Sequence, residues 1–295
     1  MENTASLALP LQQHPIFGRA LTLIGRSVLR VSLGGNAHQI GRAQLIERPI
    51  LSKTISLASR GPVWRQSVTQ NDKFDAYRTL TQSGLRLVNA ESPDDRAALR
   101  NCGFRQVIEN AHLAEIDLNP DIDLLRAQMN GKWRNQLVRG EKRLTAKHLK
   151  LEHRAFEPVM DRWLLAEEHK QRRARKYRAV APEFTLALAE IDADQLRMFV
   201  LKKRNQPLAA MLFIKHGVSA TYHIGWTSPE GRELRAHQLL LWRAMQDLKS
   251  SGIQILDLGQ VDTENAPGLA RFKLGSGAKL RQLGGTWIRL SPFPA

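Results

Sequence analysis

The sequence predicts an α/β protein organised as two domains, and three observations carry that prediction. Its 295 residues are about twice the length of a common single domain, so two packed halves, residues 1–150 and 151–295, are the default division. The first half alternates strand-like and helix-like segments. The second half places three successive strand-like runs before a strongly apolar helix and one further apolar run.

Each element has a local reason. Residues 27–34 put Leu29, Val31 and Leu33 on one face, the period of two of a half-buried strand. Residues 42–48 form a partner strand across the turn-prone Gly34, Gly35 and Asn36. A helix over 72–83, stopped by Gly84, leads into the apolar strand 85–88. Ser92 and Pro93 cap and open another helix that Gly103 ends. Residues 113–118 read as a strand. From Asp121 a helical stretch carries Leu124, Leu125, Met129, Trp133 and Leu137 at helical spacing, with Asn130 and Gly131 as a breaking point.

In the second half, helices over 156–170 and 182–191 flank a basic run that ends at Arg178. Strands 196–203, 208–215 and 218–226 are joined by Asn205-Gln206 and His216-Gly217, which predicts an antiparallel meander. The helix 234–250 is apolar on several sides through Leu239, Leu240, Leu241, Trp242, Met245 and Leu248, as a helix sandwiched against a sheet requires. Gly252 stops it, and 253–258 is then a buried strand.

Composition narrows the class of protein. The 42% apolar content is that of a globular chain. A formal charge of +16 favours polyanionic partners, whether nucleic acid, a phosphate-bearing cofactor or an anionic membrane face. The single cysteine, Cys102, forbids an internal disulfide and reads as a small buried hydrophobe. The nine histidines lack metal-ligand spacing, so neither a metal nor a resident cofactor is expected. No apolar run approaches the roughly 20 residues that span a bilayer, and the first residues lack the basic region of a secretory signal. The expectation is a cytoplasmic protein, with peripheral contact to the inner membrane left open. The absence of a Walker loop and of a Gly-x-Ser-x-Gly elbow sets aside nucleotide hydrolysis and serine-nucleophile chemistry.

Three segments resemble one family. The first is Asp257-Leu-Gly-Gln-Val-Asp262-Thr-Glu264-Asn-Ala-Pro267-Gly268-Leu-Ala-Arg271-Phe272-Lys273-Leu-Gly275-Ser-Gly277. It is similar to the signature end of the Fem-type aminoacyl-tRNA-dependent peptide-bond-forming transferases. Those proteins have a strand ending in Asp and Gly, an acidic loop, then a short helix with Phe-Lys and a glycine pair. Lys132-Trp-Arg134-Asn135-Gln-Leu-Val-Arg139-Gly-Glu141-Lys142 resembles that family's helix with an Arg-Asn step, and Arg60-Gly61-Pro62-Val63 adds a third, weaker likeness. The resemblance implies two acetyltransferase-like (GNAT-like) domains with mixed central sheets, the tail 284–295 returning to the first. It departs from the pattern at Ala278-Lys279 and lacks the long coiled-coil arm of some members.

The chemistry implied is amide formation: an unprotonated amine, a carbonyl held near it, and positive charge for the tetrahedral oxyanion. Lys273 fits the last role; the alternative is a surface lysine paired with Asp262 or Glu264. Asp257 either orients the amine or takes its proton, or else caps the loop after its strand. Arg271 lies about 200° from Lys273 around a helix, so the two do not face one group; Arg271 is a candidate to bind a phosphate of the substrate, with structural pairing as the alternative. Phe272 is a candidate for substrate contact, and Tyr222 and His223, in mid-strand, are candidates to line the same cleft, with core packing as the alternative for Phe272 and Tyr222. Arg134 and Asn135 are candidates at a phosphate of donor or acceptor. Lys170, Arg172, Arg173, Arg175, Lys176 and Arg178 form the densest basic cluster, suited to RNA phosphates.

Three functions stand against one another. The first transfers an amino acid from charged tRNA to an amine, such as one on a peptidoglycan precursor. The second is acyl-CoA-dependent N-acyl transfer, which normally needs an Arg/Gln-x-x-Gly-x-Gly/Ala loop whose amides cradle a pyrophosphate. At that place this chain has Glu230-Gly231-Arg232-Glu233-Leu234-Arg235-Ala236. The third is a non-catalytic RNA-binding protein.

Overall fold

A computed structural model describes residues 8–35, 38–50, 53–109, 111–146, 148–175 and 180–290. They form two compact units, one made of Leu9–His112 with the chain from Arg281 onward, the other of Leu113–Leu280. The division thus falls at 112/113 instead of the expected 150. The reason is hydrophobic: Leu125, Met129, Trp133 and Leu137 share one core with Leu239, Leu240 and Trp242, so the segment 113–150 belongs with the second half of the chain.

The first unit is built on a mixed sheet of order β1-β2-β3-β5-β14-β6. Its strands are β1 (Ser27–Gly35), β2 (His38–Ile50), β3 (Lys53–Ser59), β5 (Leu85–Ala90), β6 (Arg105–Ile108) and β14 (Gly285–Ile288), with the short β4 (Val63–Trp64) beside β2. The β1/β2 hairpin is the anticipated one, but β1 is an edge, so Leu29 stays 38% exposed while Leu33 is buried. Helix α1 (Pro15–Leu23) precedes them; α2 (Gln70–Gln82) and α3 (Arg96–Asn101) complete the unit. Strand β3 runs parallel to β5, with α2 as the crossover. Thr69 and Asp72 start α2 by a capping box, Thr69 Oγ1 accepting the Asp72 N–H at 3.2 Å and the Asp72 carboxylate accepting the Thr69 N–H at 3.0 Å. Strand β14 lies antiparallel between β5 and β6, and its Trp287 is fully buried in one core with Leu45, Tyr77, Val88 and Phe104.

The second unit has a mixed sheet of order β13-β7-β12-β11-β10-β9-β8. Strands β7 (His112–Asp117), β8 (Lys150–Ala155), β9 (Leu196–Lys203), β10 (Gln206–His216), β11 (Ser219–Thr227), β12 (Ile255–Val261) and β13 (Lys279–Gln282) contribute to it. The meander β9-β10-β11 is antiparallel as anticipated, and β12 joins β11 in parallel. The helices are α4 (Ile122–Gln128), α5 (Gly131–Ala146), α6 (Arg162–Arg175), α7 (Pro182–Asp192), α8 (Pro229–Glu233), α9 (Ala236–Ser250) and α10 (Pro267–Gly275).

Two of the anticipated helices differ in extent. The helix anticipated over 156–170 begins only at Arg162, because the Asp161 carboxylate ties down the preceding loop. It accepts both Arg154 Nη atoms at 2.6 and 2.7 Å and the Glu157 N–H at 2.9 Å. The helix anticipated over 234–250 begins only at Ala236, as α9: the short helix α8 precedes it, and Arg235 between them has a left-handed φ of 60°.

Candidate active site

Strands β11 and β12 pair only over Ser219–Thr221 and Ile255–Asp257. Past that point Tyr222–Gly225 on one strand and Leu258–Gln260 on the other line a cleft of about 1140 Å³. Its remaining wall comes from Leu165, Glu168 and Gln171 on α6, from Pro182 and Thr185 on α7, and from α10 with the loop before it. A parallel pair that separates exposes unpaired backbone and admits a ligand between the strands, which is why ligand sites favour such points.

Lys273 sits in this cleft and is buried. Its Nζ donates to the Gln260 carbonyl at 2.8 Å, and neither Asp262 nor Glu264 pairs with it among the described contacts. Burial pushes its pKa down to about 8, and the nearby Asp257 charge opposes that fall. At pH 7 roughly nine ammonium groups in ten therefore remain protonated. Asp257 itself is buried and does not line the cleft. Its Oδ1 accepts the Gly259 N–H at 2.6 Å, and Gly259 takes φ of +80°, a turn that L side chains resist. A Cβ at Gly259 would stand 3.6 Å from Lys273 Nζ. Asp257 thus shapes the turn under the lysine and holds up its pKa. The Asp262 carboxylate caps the next loop, accepting from Glu264 N, Asn265 N and Asn265 Nδ2.

Of the other residues singled out from sequence, Tyr222 lines the cleft. The absence of a side chain at Gly225 leaves room for its hydroxyl, since a Cβ there would fall 1.7 Å from the Tyr222 oxygen. Phe272 points elsewhere, its ring 6.0 Å from Trp133 and 6.0 Å from His237, so core packing accounts for it. Arg271 is exposed, as the helical angle requires, and does not line the cleft. On α5, Arg134 donates to the Ala127 carbonyl at 3.1 Å and Asn135 is exposed; neither lines the cleft. On α6, Lys170 pairs with Glu167 at 2.6 Å, Arg172 contacts His169 at 3.0 Å, Arg173 is exposed, and Arg175 ends the helix. Lys176 and Arg178 lie outside the described residues.

The cleft also holds groups with no motif to announce them. Glu168 is only 6% exposed. Gln171 donates to the Gly225 carbonyl at 3.3 Å and so fastens α6 to β11. His223, expected from its place in mid-strand to line the cleft with Tyr222, does so; its Nε2 lies 2.8 Å from Thr185 Oγ1, and burial lowers its pKa to about 4, leaving a neutral imidazole. The one sequence signal for the α6 wall was the i−3, i+3 spacing of Leu165, Glu168 and Gln171 on one helix face. A smaller cavity of about 360 Å³ lies in the first unit beside Lys73 and Trp64. Beneath it the fully buried Asp95 accepts from Lys73 Nζ, Tyr77 Oη and Trp64 Nε1. Among the described residues no group of three or more acidic, histidine or cysteine side chains is placed to hold a metal, and no helix is long and apolar enough to cross a membrane.

A model of the acetyltransferase (GNAT) domain matches residues 126–274. Among solved structures the chain is similar to FemX, with a TM-score of 0.72 and 14% identity, over 94% of this chain and 93% of that one. It is also similar to the C-terminal domain of a protein assigned as a lysylphosphatidylglycerol synthetase from Agrobacterium fabrum, with a TM-score of 0.60, 16% identity, and 95% and 89% of the two chains covered. A third likeness is to L-PGS from Bacillus licheniformis, with a TM-score of 0.57, 14% identity, and 94% and 93% covered. At these identities the likeness is one of fold. No curated protein matches the chain by sequence.

Proposed function

Because the chain belongs to the acetyltransferase (GNAT) domain family and is an acyltransferase, we propose that it forms an amide bond by moving an amino acid from charged tRNA onto an amine. A peptidoglycan precursor is one such acceptor. The observation that carries this reading is a buried Lys273 in a cleft opened by two parting parallel strands. When the neutral amine attacks the ester carbonyl, negative charge develops on the carbonyl oxygen and then on the leaving ribose oxygen. A cation desolvated beforehand stabilises that charge with little reorganisation.

The chain before α9 bears on the donor, because a coenzyme A pyrophosphate there would need free amides. Four of the amides in this stretch are already engaged, in and just after α8. The Gly231 N–H donates to Ser228 Oγ, Arg232 N–H to the Ser228 carbonyl, Leu234 N–H to the Glu230 carbonyl and Arg235 N–H to the Arg232 carbonyl. Glu230, an acid, stands there too and pairs with Lys203. This favours a donor held otherwise. Lys170, Arg172, Arg173 and Arg175, with Lys176 and Arg178, are the proposed contacts to tRNA phosphates. Arg134 and Asn135 remain candidates for a phosphate of donor or acceptor.

The test supplies purified protein with charged tRNA and an amine acceptor, and separately with acetyl-CoA, and measures amide formation. Transfer from tRNA is expected, reduced by Lys273→Ala about 100- to 1,000-fold, the usual loss for one oxyanion donor. Transfer from acetyl-CoA and none from charged tRNA would overturn the donor. No transfer from either, with RNA binding intact, would leave a binding protein.

A further inference from the structure

The cleft carries one acid whose place the proposed transfer does not require. Glu168 lies near the middle of α6, 6% exposed, on the same face as Leu165 and Gln171, and all three line the cleft that contains Lys273. The Gln171 bond to Gly225 and the Trp226 Nε1 bond to Glu167 Oε2 at 3.1 Å anchor this helix to β11, so the carboxylate is held by a fixed wall. The other acid on the cleft lining among the described residues, Asp262, is engaged by the N–H groups of its own loop. His223 is neutral. The cleft therefore combines a cation on α10 with a buried carboxylate on α6.

We propose that Glu168 receives the free ammonium of the transferred aminoacyl group, and that it makes the cleft selective for an amino-bearing donor over a plain acyl one. An aminoacyl ester is itself dipolar. Its carbonyl oxygen gains negative charge during transfer, and the carbon next to that carbonyl bears a positive amine. Lys273 and Glu168 match that polarity within one cleft. A carboxylate offers about four acceptor sites, so one such group can hold protein contacts and a ligand ammonium together. A charged hydrogen bond from a ligand ammonium to a buried carboxylate is worth more than a neutral one, and an acetylated amine forfeits it. Glu168 is here a specificity-determining residue and takes no proton in the reaction.

This inference rests on the aminoacyl-donor reading, and the experiment separates the two. Two stable probes are used: an aminoacyl group amide-linked to adenosine, and the same compound with its amine acetylated. Binding of each is measured by calorimetry to the wild-type chain and to Glu168→Gln, with thermal unfolding showing that the variant is folded. The wild type should bind the free-amine probe about 10- to 100-fold more tightly than the acetylated one, the range of a charged hydrogen bond. Glu168→Gln should erase that difference by weakening the free-amine probe alone. Equal binding of both probes by the wild type, or equal weakening of both by the substitution, overturns the role of Glu168 and leaves the donor reading standing. Binding of neither probe overturns both.

Discussion

A lysine ammonium in a protein interior is costly, and Lys273 bears that cost in the folded state. Its pKa falls from 10.5 to about 8 because burial disfavours the charge. That difference corresponds to about 3 kcal/mol of lost stability at neutral pH. The folded-state value lies below the unfolded one, so the penalty is complete below pH 8 and fades between pH 8 and 10.5. Lys273→Met should therefore raise the unfolding free energy by about 2 kcal/mol at pH 7, allowing for the lost bond to Gln260, in denaturant titrations. The gap to the wild type should close as the pH rises toward 10.5. If the cation does the chemical work, wild-type turnover should also decline as the pH passes 8; a rise there would mean that the neutral amine acts, as a base. Sequence alone placed Lys273 on its short helix after Pro267. It could not show whether the side chain met water, because burial depends on β11 and β12, which local pattern does not bring together.

At the scale of elements, α6 shows how one side chain sets a helix start. Periodicity suggested a start at 156, yet the Asp161 carboxylate, 1% exposed, gathers Arg154 and the Glu157 N–H into a loop. Removing one partner of a buried ion pair leaves the other charge uncompensated. Asp161→Ala should cost about 3 kcal/mol in urea unfolding, and it should raise hydrogen exchange first in the opening turn of α6. A cost under about 0.5 kcal/mol would show that Arg154 is solvated without it. Whereas α10 was anticipated from the family resemblance, the antiparallel meander and α7 were legible because hairpin turns and Pro at a first helical turn act locally. Strands β3, β6, β8 and β14 were not, since their residues alternate weakly and strand pairing supplies what local pattern lacks.

For the whole chain the dominant quantity is the charge of +16. If the α6 cluster and its continuation neutralise about five RNA phosphates, affinity should fall about a hundredfold between roughly 50 and 200 mM salt. A filter-binding titration across that range measures the slope, and a flat response would remove RNA from the partners. By itself the sequence determined the α/β class, the run of meander, apolar helix and buried strand in the second half, and the net positive charge. These depend on periodicity, turn residues and charge, all of which act over a few positions. Only the tertiary structure decided that the units divide at 112/113, that Phe272 packs against Trp133 while Lys273 faces the cleft, and that Glu168 shares that cleft. Each of those outcomes depends on which distant surfaces bury one another, and residues more than 100 positions apart in the chain carry no local mark of meeting.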